Sequence, residues 1–232
     1  VSTSMLAEDL KPNRLEAAKD VAAEFINGRP NDNIGITLFA GESFTQCPLT
    51  VDHAVLLDMI HNIKCGLIED GTAVGMGIAN AVTRLKDSKA KSKVIILLTD
   101  GTNNKGDISP MTAAEIAKSF GIRVYTIGVG TNGMAPYPYP VGNTVQYVSM
   151  PVEIDEKTLT QIAGTTDGNY FRATSNSKLK EVYEEIDKLE KTKLNVKEYS
   201  KRDEEYHWFA LAAFLCVLLE VLLRNSILKK IP

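Results

Sequence analysis

Short apolar runs of strand length alternate with amphipathic helical stretches between residues 13 and 189. The clearest strand is Lys93-Val-Ile-Ile-Leu-Leu-Thr99, because a continuous run of β-branched residues and leucines favours burial on both faces of a sheet. Helices are predicted on either side of it, over Ala73–Leu85 and from Pro110 onward. This alternation predicts an α/β fold with a doubly wound, mostly parallel sheet and helices on both faces.

The composition excludes several classes of protein. The 232 residues include 26 Lys+Arg and 29 Asp+Glu, and 44% are hydrophobic, which is typical of a globular protein and not of a disordered or collagen-like chain. The net charge of −3 contains no basic excess, so no nucleic-acid partner is predicted. Three cysteines are too few for a disulfide framework. We interpret Cys47 and Cys65 as free thiols, with a disulfide between them as the alternative in an oxidising compartment.

The C-terminal segment has the composition of a membrane anchor. Residues 208–223 are apolar on every helical face except at Glu220, with a buried core helix as the alternative interpretation. The basic residues that follow place the C-terminus in the cytoplasm by the positive-inside rule, and the globular domain on the other side of the membrane. The predicted organisation is a domain, a charged stalk, a transmembrane anchor and a cytoplasmic tail, over residues 1–189, 190–205, 206–228 and 229–232 respectively.

Small oxygen-bearing side chains occur in three loops, each at the end of a predicted strand or at the start of a helix. The loops contain Ser2 and Ser4, then Thr72, then Asp100. In an open α/β sheet such loops converge on the crevice where a ligand binds. Hydroxyl and carboxylate oxygens are the ligands that a hard cation such as Mg²⁺ prefers. The sequence therefore predicts a divalent-metal site, although each residue alone also fits an ordinary helix cap or turn.

The four residues resemble the metal-ion-dependent adhesion site (MIDAS) of von Willebrand factor A domains. The family pattern is D-x-S-x-S, then a distant Thr and a distant Asp; Ser2 and Ser4 match the serines, Thr72 the threonine and Asp100 the second aspartate. The resemblance implies that these residues bind Mg²⁺, with Mn²⁺ or Ca²⁺ as alternatives. The first Asp of the pattern would lie one residue before Val1. We therefore expect the sequence to be part of a longer chain in which a preceding strand carries that ligand.

Two further stretches, Met5–Leu15 and Phe39–Thr50, resemble membrane-anchored domains of the Bacteroides aerotolerance (Bat) type. This resemblance implies a bacterial inner-membrane protein whose domain faces the periplasm. It also implies other Bat-type membrane proteins and a MoxR-type AAA+ ATPase as partners.

The function predicted from these features is a membrane-anchored, metal-dependent protein-interaction module that acts in envelope assembly or in stress and oxygen tolerance. A protein partner would supply a carboxylate to the metal, so that the ion bridges two proteins. The ligands have no acid, base or nucleophile beside them, so no enzymatic activity is predicted. The alternative is a metal-assisted hydrolase that uses the same acidic crevice, with Asp70 or Asp107 as general base.

One motif is misleading. Residues 128–133 fit the dinucleotide-binding pattern G-x-G-x-x-G directly after a predicted strand. The motif requires a helix next, and Pro136, Pro138 and Pro140 exclude one. We predict instead that residues 130–153 form a surface excursion, with a hairpin as one possible form.

Overall fold

The computed structural model describes residues 1–131, 133–141, 144–199 and part of 211–223. After a 3₁₀ helix at Thr3–Leu6, the described chain contains these helices and strands: α1 Arg14–Asn27, β1 Ile34–Phe39, β2 Ser43–Thr50, α2 His53–His61, α3 Val74–Leu85, β3 Val94–Thr99, α4 Pro110–Ser119, β4 Arg123–Val129, β5 Gly133–Val141, β6 Thr144–Val152, α5 Glu156–Thr165, β7 Tyr170–Ala173 and α6 Asn176–Tyr199.

A parallel sheet with strand order β3-β4-β7 lies at the centre of the domain. Val94 is paired with Arg123 at one end of the β3–β4 ladder, and Thr99 with Gly128 at the other. The chain crosses from β3 to β4 through α4 and reaches β7 through α5, as parallel neighbours require. β1 and β2 form a separate antiparallel pair, and in the described residues no ladder joins them to β3.

The central strand β4 has helices on both of its faces. Val124 belongs to the cluster formed with α3, α4 and α5, whereas Tyr125, Ile127 and Val129 belong to the cluster formed with α1 and α6. This is the alternation expected of a strand, whose successive side chains point to opposite faces. All four side chains are fully buried. The prediction of a parallel sheet with helices on both faces is therefore confirmed.

A third apolar cluster covers the β1–β2 pair. It joins Leu38 and Cys47 to Leu56 and Ile60 of α2. Cys47 and Cys65 both belong to this region and both are free thiols. Burial raises the pKa of the Cys65 thiol, which keeps it protonated and apolar at neutral pH.

β5 and β6 form an antiparallel pair within the predicted surface excursion at 130–153. Along β5, alternate residues direct their backbone N–H and C=O groups toward β6 or away from it, and Pro136 and Pro138 belong to the same alternating series. The Pro136 carbonyl accepts a hydrogen bond from the Glu8 N–H at 2.9 Å, so the backbone polar groups of this series point away from β6. Proline tolerates such positions because its missing N–H is not needed by the ladder.

The predicted stalk begins inside the domain and continues as helix. The chain divides into two compact units, Val1–Glu190 and Lys191–Pro232, and α6 extends to Tyr199. Glu190 is buried within the first unit. Most of the predicted anchor at 206–228 and the whole tail at 229–232 lie outside the described residues, and the helices that are described include none with the length and hydropathy of a bilayer span.

Candidate metal centre

The two serines lie at the start of the 3₁₀ helix, beside the end of β1. The Val1 backbone nitrogen donates to the Phe39 carbonyl at 2.7 Å, and the Cys65 thiol donates to the Ser2 carbonyl at 3.3 Å. The Ser2 and Ser4 hydroxyls are 2.6 Å apart and hydrogen bonded to each other. The segment is therefore fixed to the rest of the domain at two points, and its two hydroxyls lie side by side.

Asp100 directly follows β3, where the strand ends. Its Oδ1 accepts a hydrogen bond from the Ser4 hydroxyl at 2.9 Å. Asp100 is 5% exposed, although a carboxylate is almost never buried without partners. The position at the carboxyl end of a parallel strand is the one predicted for a ligand-binding residue in this class of fold.

Thr72 lies just before α3, and the loop after Asp100 holds it in place. The Thr72 N–H donates to Asn104 Oδ1 at 2.9 Å, and the Asn104 N–H donates to the Thr72 carbonyl at 3.0 Å. A Cβ added to Gly101 would lie 3.4 Å from Thr72 Oγ1, so the backbone after Asp100 runs beside the Thr72 hydroxyl. The two loops therefore bring the threonine and the aspartate together.

The four predicted residues thus meet at one place. Ser2, Thr72 and Asp100 line one small cavity, and Ser4 is hydrogen bonded to both Ser2 and Asp100. In the described residues, at this site or elsewhere, no group of three or more His, Cys, Asp or Glu side chains is arranged to hold a metal. Any site here is therefore built mainly from hydroxyls and a single carboxylate.

Two charged residues beside Asp100 were not predicted from the sequence. Arg14 Nη1 donates to Asp100 Oδ2 at 2.9 Å, and Arg14 Nε and Nη2 donate to the two oxygens of Asp9 at 2.7 and 2.6 Å. Both side chains of the Arg14–Asp9 pair are almost fully buried. A signal was present in the sequence: a cation in the first turn of a helix opposes the helix dipole and requires compensation.

The surroundings of Arg14 and Asp9 shift the pKa values of both groups. Burial lowers the pKa of Arg14, but hydrogen bonds and charge from Asp9 and Asp100 outweigh this and raise it. Burial raises the pKa of Asp9, but hydrogen bonds from Arg14 and Thr131 outweigh this and lower it. Two carboxylates against one guanidinium leave the cluster with an excess negative charge, which favours a bound cation.

Asp70, one candidate general base of a hydrolase, is engaged elsewhere. It accepts the Thr3 hydroxyl at 2.5 Å and the Thr3 and Gly71 N–H groups at 3.0 Å. Burial raises the pKa of Asp70, but these hydrogen bonds outweigh it and lower the pKa. A carboxylate with occupied oxygens and a lowered pKa is a weak proton acceptor at neutral pH. The other candidate, Asp107, is exposed.

The glycine motif at 128–133 is followed by a strand and not by a helix. Gly128 belongs to β4 and Gly133 begins β5, so a strand follows where dinucleotide binding requires a helix. This agrees with the prediction made from the prolines.

The sequence model of the von Willebrand factor type A domain matches residues 1–185. The chain belongs to the von Willebrand factor type A (VWA) family. Among solved structures, this VWA domain is similar to the conserved hypothetical protein BatB from Bacteroides thetaiotaomicron, with 34% identity and a TM-score of 0.71 over 82% of this chain and 95% of that one. It is also similar to an aerotolerance-related membrane protein from Bacteroides fragilis, with 33% identity and a TM-score of 0.69 over 81% and 94% of the two chains.

Among curated proteins, an uncharacterized protein of Borreliella burgdorferi is 27% identical over all of this chain and 68% of its own length. A UPF0353 protein of Mycolicibacterium paratuberculosis is 30% identical over 79% of this chain and 56% of its own length. The VWA chain thus spans between about half and two thirds of these relatives.

Proposed function

We propose that this VWA domain is a metal-ion-dependent protein-interaction module. The observation that carries the proposal is the meeting of Ser2, Thr72 and Asp100 at one cavity, from three separate loops, with Ser4 hydrogen bonded to both Ser2 and Asp100. These four residues span almost a hundred positions of sequence; three of them carry hydroxyls and the fourth carries a carboxylate. A shared ligand explains why they are together.

The chemistry of these residues fits a divalent cation. Hard cations such as Mg²⁺ take oxygen ligands, and Mg²⁺ keeps some of its own waters when a protein supplies few charges. Ser2, Ser4, Thr72 and Asp100 would hold the ion, with Mn²⁺ or Ca²⁺ as alternatives to Mg²⁺. When bound, the ion supplies a Lewis-acidic position that accepts a carboxylate from another protein. The buried positions of Ser2, Thr72 and Asp100 limit access of bulk water and hold the ligand oxygens in place.

The setting of the module is proposed from its relatives. The similar Bacteroides fragilis protein is an aerotolerance-related membrane protein. We accordingly propose a bacterial inner-membrane protein with a C-terminal anchor and a periplasmic domain, acting in envelope assembly or in stress and oxygen tolerance. The partners proposed are other Bat-type proteins and a MoxR-type ATPase. No second function is proposed, because the Asp70 oxygens are already occupied by Thr3 and Gly71.

Isothermal titration calorimetry measures Mg²⁺ binding to the protein as its gene encodes it. This measurement tests the site directly. Asp100→Asn removes a charged ligand and Thr72→Ala removes a hydroxyl ligand. We expect Asp100→Asn to weaken Mg²⁺ binding by about 100-fold or more, because even residues that only support metal ligands are worth about 10–100-fold. Thr72→Ala should weaken it by about tenfold.

The matched controls are Asp107→Asn and Thr102→Ala, which alter the same side-chain types at exposed positions of the loop after β3. Both should bind Mg²⁺ like the unmodified protein. Equal Mg²⁺ affinities in all five proteins, or no Mg²⁺ binding by the unmodified protein, would contradict the proposed function.

A further inference from the structure

Arg14 occupies a position at which a positive charge is costly. It is the first residue of α1, where the helix dipole disfavours a cation, and its side chain is only 4% exposed. The partners of its guanidinium are two buried carboxylates, Asp9 and Asp100. A buried charge of this kind is retained only where its partners have favourable geometry.

All three guanidinium nitrogens of Arg14 donate hydrogen bonds to carboxylates. Nε and Nη2 form a bidentate pair with Asp9, and this pair alone fixes the plane of the guanidinium. The remaining nitrogen, Nη1, then points at Asp100 Oδ2. The Ser4 hydroxyl holds the other oxygen, Oδ1. Both oxygens of the carboxylate are thereby oriented, one from each side.

The Asp9–Arg14 pair is itself held by the backbone that follows β4. Asp9 Oδ2 also accepts the Thr131 N–H at 2.8 Å and the Thr131 hydroxyl at 3.2 Å. Gly130 has φ +134, and a Cβ there would lie 2.7 Å from Arg14 Nη2, so only glycine lets the backbone cover the guanidinium so closely. Gly130 and Thr131, which directly follow β4, therefore hold the Asp9–Arg14 pair in place.

We propose that Arg14 is a positioning residue that fixes the Asp100 carboxylate for metal binding, with Asp9 orienting Arg14. The link to metal rests on the proposed function, whereas the orientation of Asp100 by Arg14 does not require a metal. Arginine is needed because lysine, a single point charge, cannot pair with both Asp9 oxygens and reach Asp100 together.

The substitution Arg14→Lys separates positioning from simple charge compensation. It keeps the positive charge and loses the bidentate hydrogen bonds to Asp9. A positioning role therefore predicts Mg²⁺ binding weaker by about 10–100-fold in calorimetry. A role as counter-charge alone predicts no change, and it predicts tighter binding for Arg14→Met, which removes a repelling cation. The matched control is Arg123→Lys, since Arg123 also forms a bidentate, part-buried arginine–carboxylate pair, but with Glu190. It should leave Mg²⁺ affinity unchanged.

A second measurement tests, in the absence of metal, whether Arg14 and Asp100 are coupled. Urea unfolding in EDTA of Arg14→Lys, Asp100→Asn and the double variant gives a double-mutant cycle in the equilibrium constant of unfolding. We expect the two effects to be non-additive by a factor of about three or more, as for residues in direct contact. Additive effects, or Mg²⁺ affinity of Arg14→Lys within twofold of the unmodified protein, would overturn the proposal. If the unmodified protein binds no Mg²⁺, the proposed function fails, and the cycle still decides whether Arg14 positions Asp100.

Discussion

Glu190→Ala should destabilise the domain by about 3–5 kcal/mol, the cost of breaking a buried ion pair by removing one partner. The Glu190 carboxylate accepts the Tyr125 hydroxyl at 2.6 Å and the Ser92 hydroxyl at 2.9 Å, and both its oxygens pair with Arg123 at 3.0 Å. Alanine would leave the Arg123 guanidinium in a mostly buried place without its carboxylate. Urea unfolding followed by far-ultraviolet circular dichroism measures the loss.

The matched control is Glu185→Ala, which removes an exposed glutamate from the same helix. It should change the free energy of unfolding by less than about 0.5 kcal/mol, as most surface substitutions do. A loss below about 1 kcal/mol in Glu190→Ala would mean that the cluster contributes no more than a surface ion pair.

The Glu190 carboxylate should also make the free energy of unfolding depend on pH. Burial raises the pKa of Glu190, but hydrogen bonds from Tyr125 and Ser92 and the charge of Arg123 lower it below its ordinary 4.5. A carboxyl whose pKa is lower in the folded state stabilises the fold fully above its ordinary pKa, and that contribution is lost as the pH falls through the folded value. The stability advantage of the unmodified protein over Glu190→Gln should therefore shrink below about pH 4.5. An advantage that stays constant down to pH 3 would contradict this.

The helices and strands of this domain follow closely from local sequence. Asn13 caps α1 by accepting the Glu16 N–H, and Pro110 begins α4, so both helices start where cap and proline signals lie. The sequence did not predict how far α6 extends. Its apolar spacing stops near Leu189, but the helix continues to Tyr199, because lysine and glutamate, which are frequent there, have high helix propensity.

The candidate site was predictable only in part, for a physical reason. Ser2, Thr72 and Asp100 lie where the carboxyl ends of strands and the starts of helices converge, and residue type plus position suffice to predict them. Arg14 and Asp9 belong to the site through a long side chain and a loop. Nothing in strand order specifies that a guanidinium on α1 reaches the end of β3. Such contacts depend on side-chain length and on tertiary packing.

One glycine holds the Thr72 and Asp100 loops together. Gly75, in the first turn of α3, lies against the chain that follows the Asp100 loop: a Cβ there would be 2.0 Å from the Ile108 carbonyl oxygen and 2.9 Å from the Ser109 carbonyl carbon. Both obstacles are backbone, so no side-chain rotation can relieve the overlap. The missing side chain thus lets α3, with Thr72 before it, approach that loop.

Gly75→Ala should therefore destabilise the domain by roughly 3 kcal/mol, at the upper end of the usual cost of overpacking. It should also weaken Mg²⁺ binding, because the loop that carries Asp100 must move away from Thr72. Gly164→Ala is the matched control: Gly164 is also helical, in α5, but a Cβ there meets nothing within 4 Å. That change should stabilise the protein by about 0.5–1 kcal/mol, because alanine loses less backbone entropy than glycine in a helix. Urea unfolding of the two variants should give opposite signs, and stabilisation by both would show that α3 does not depend on this close approach.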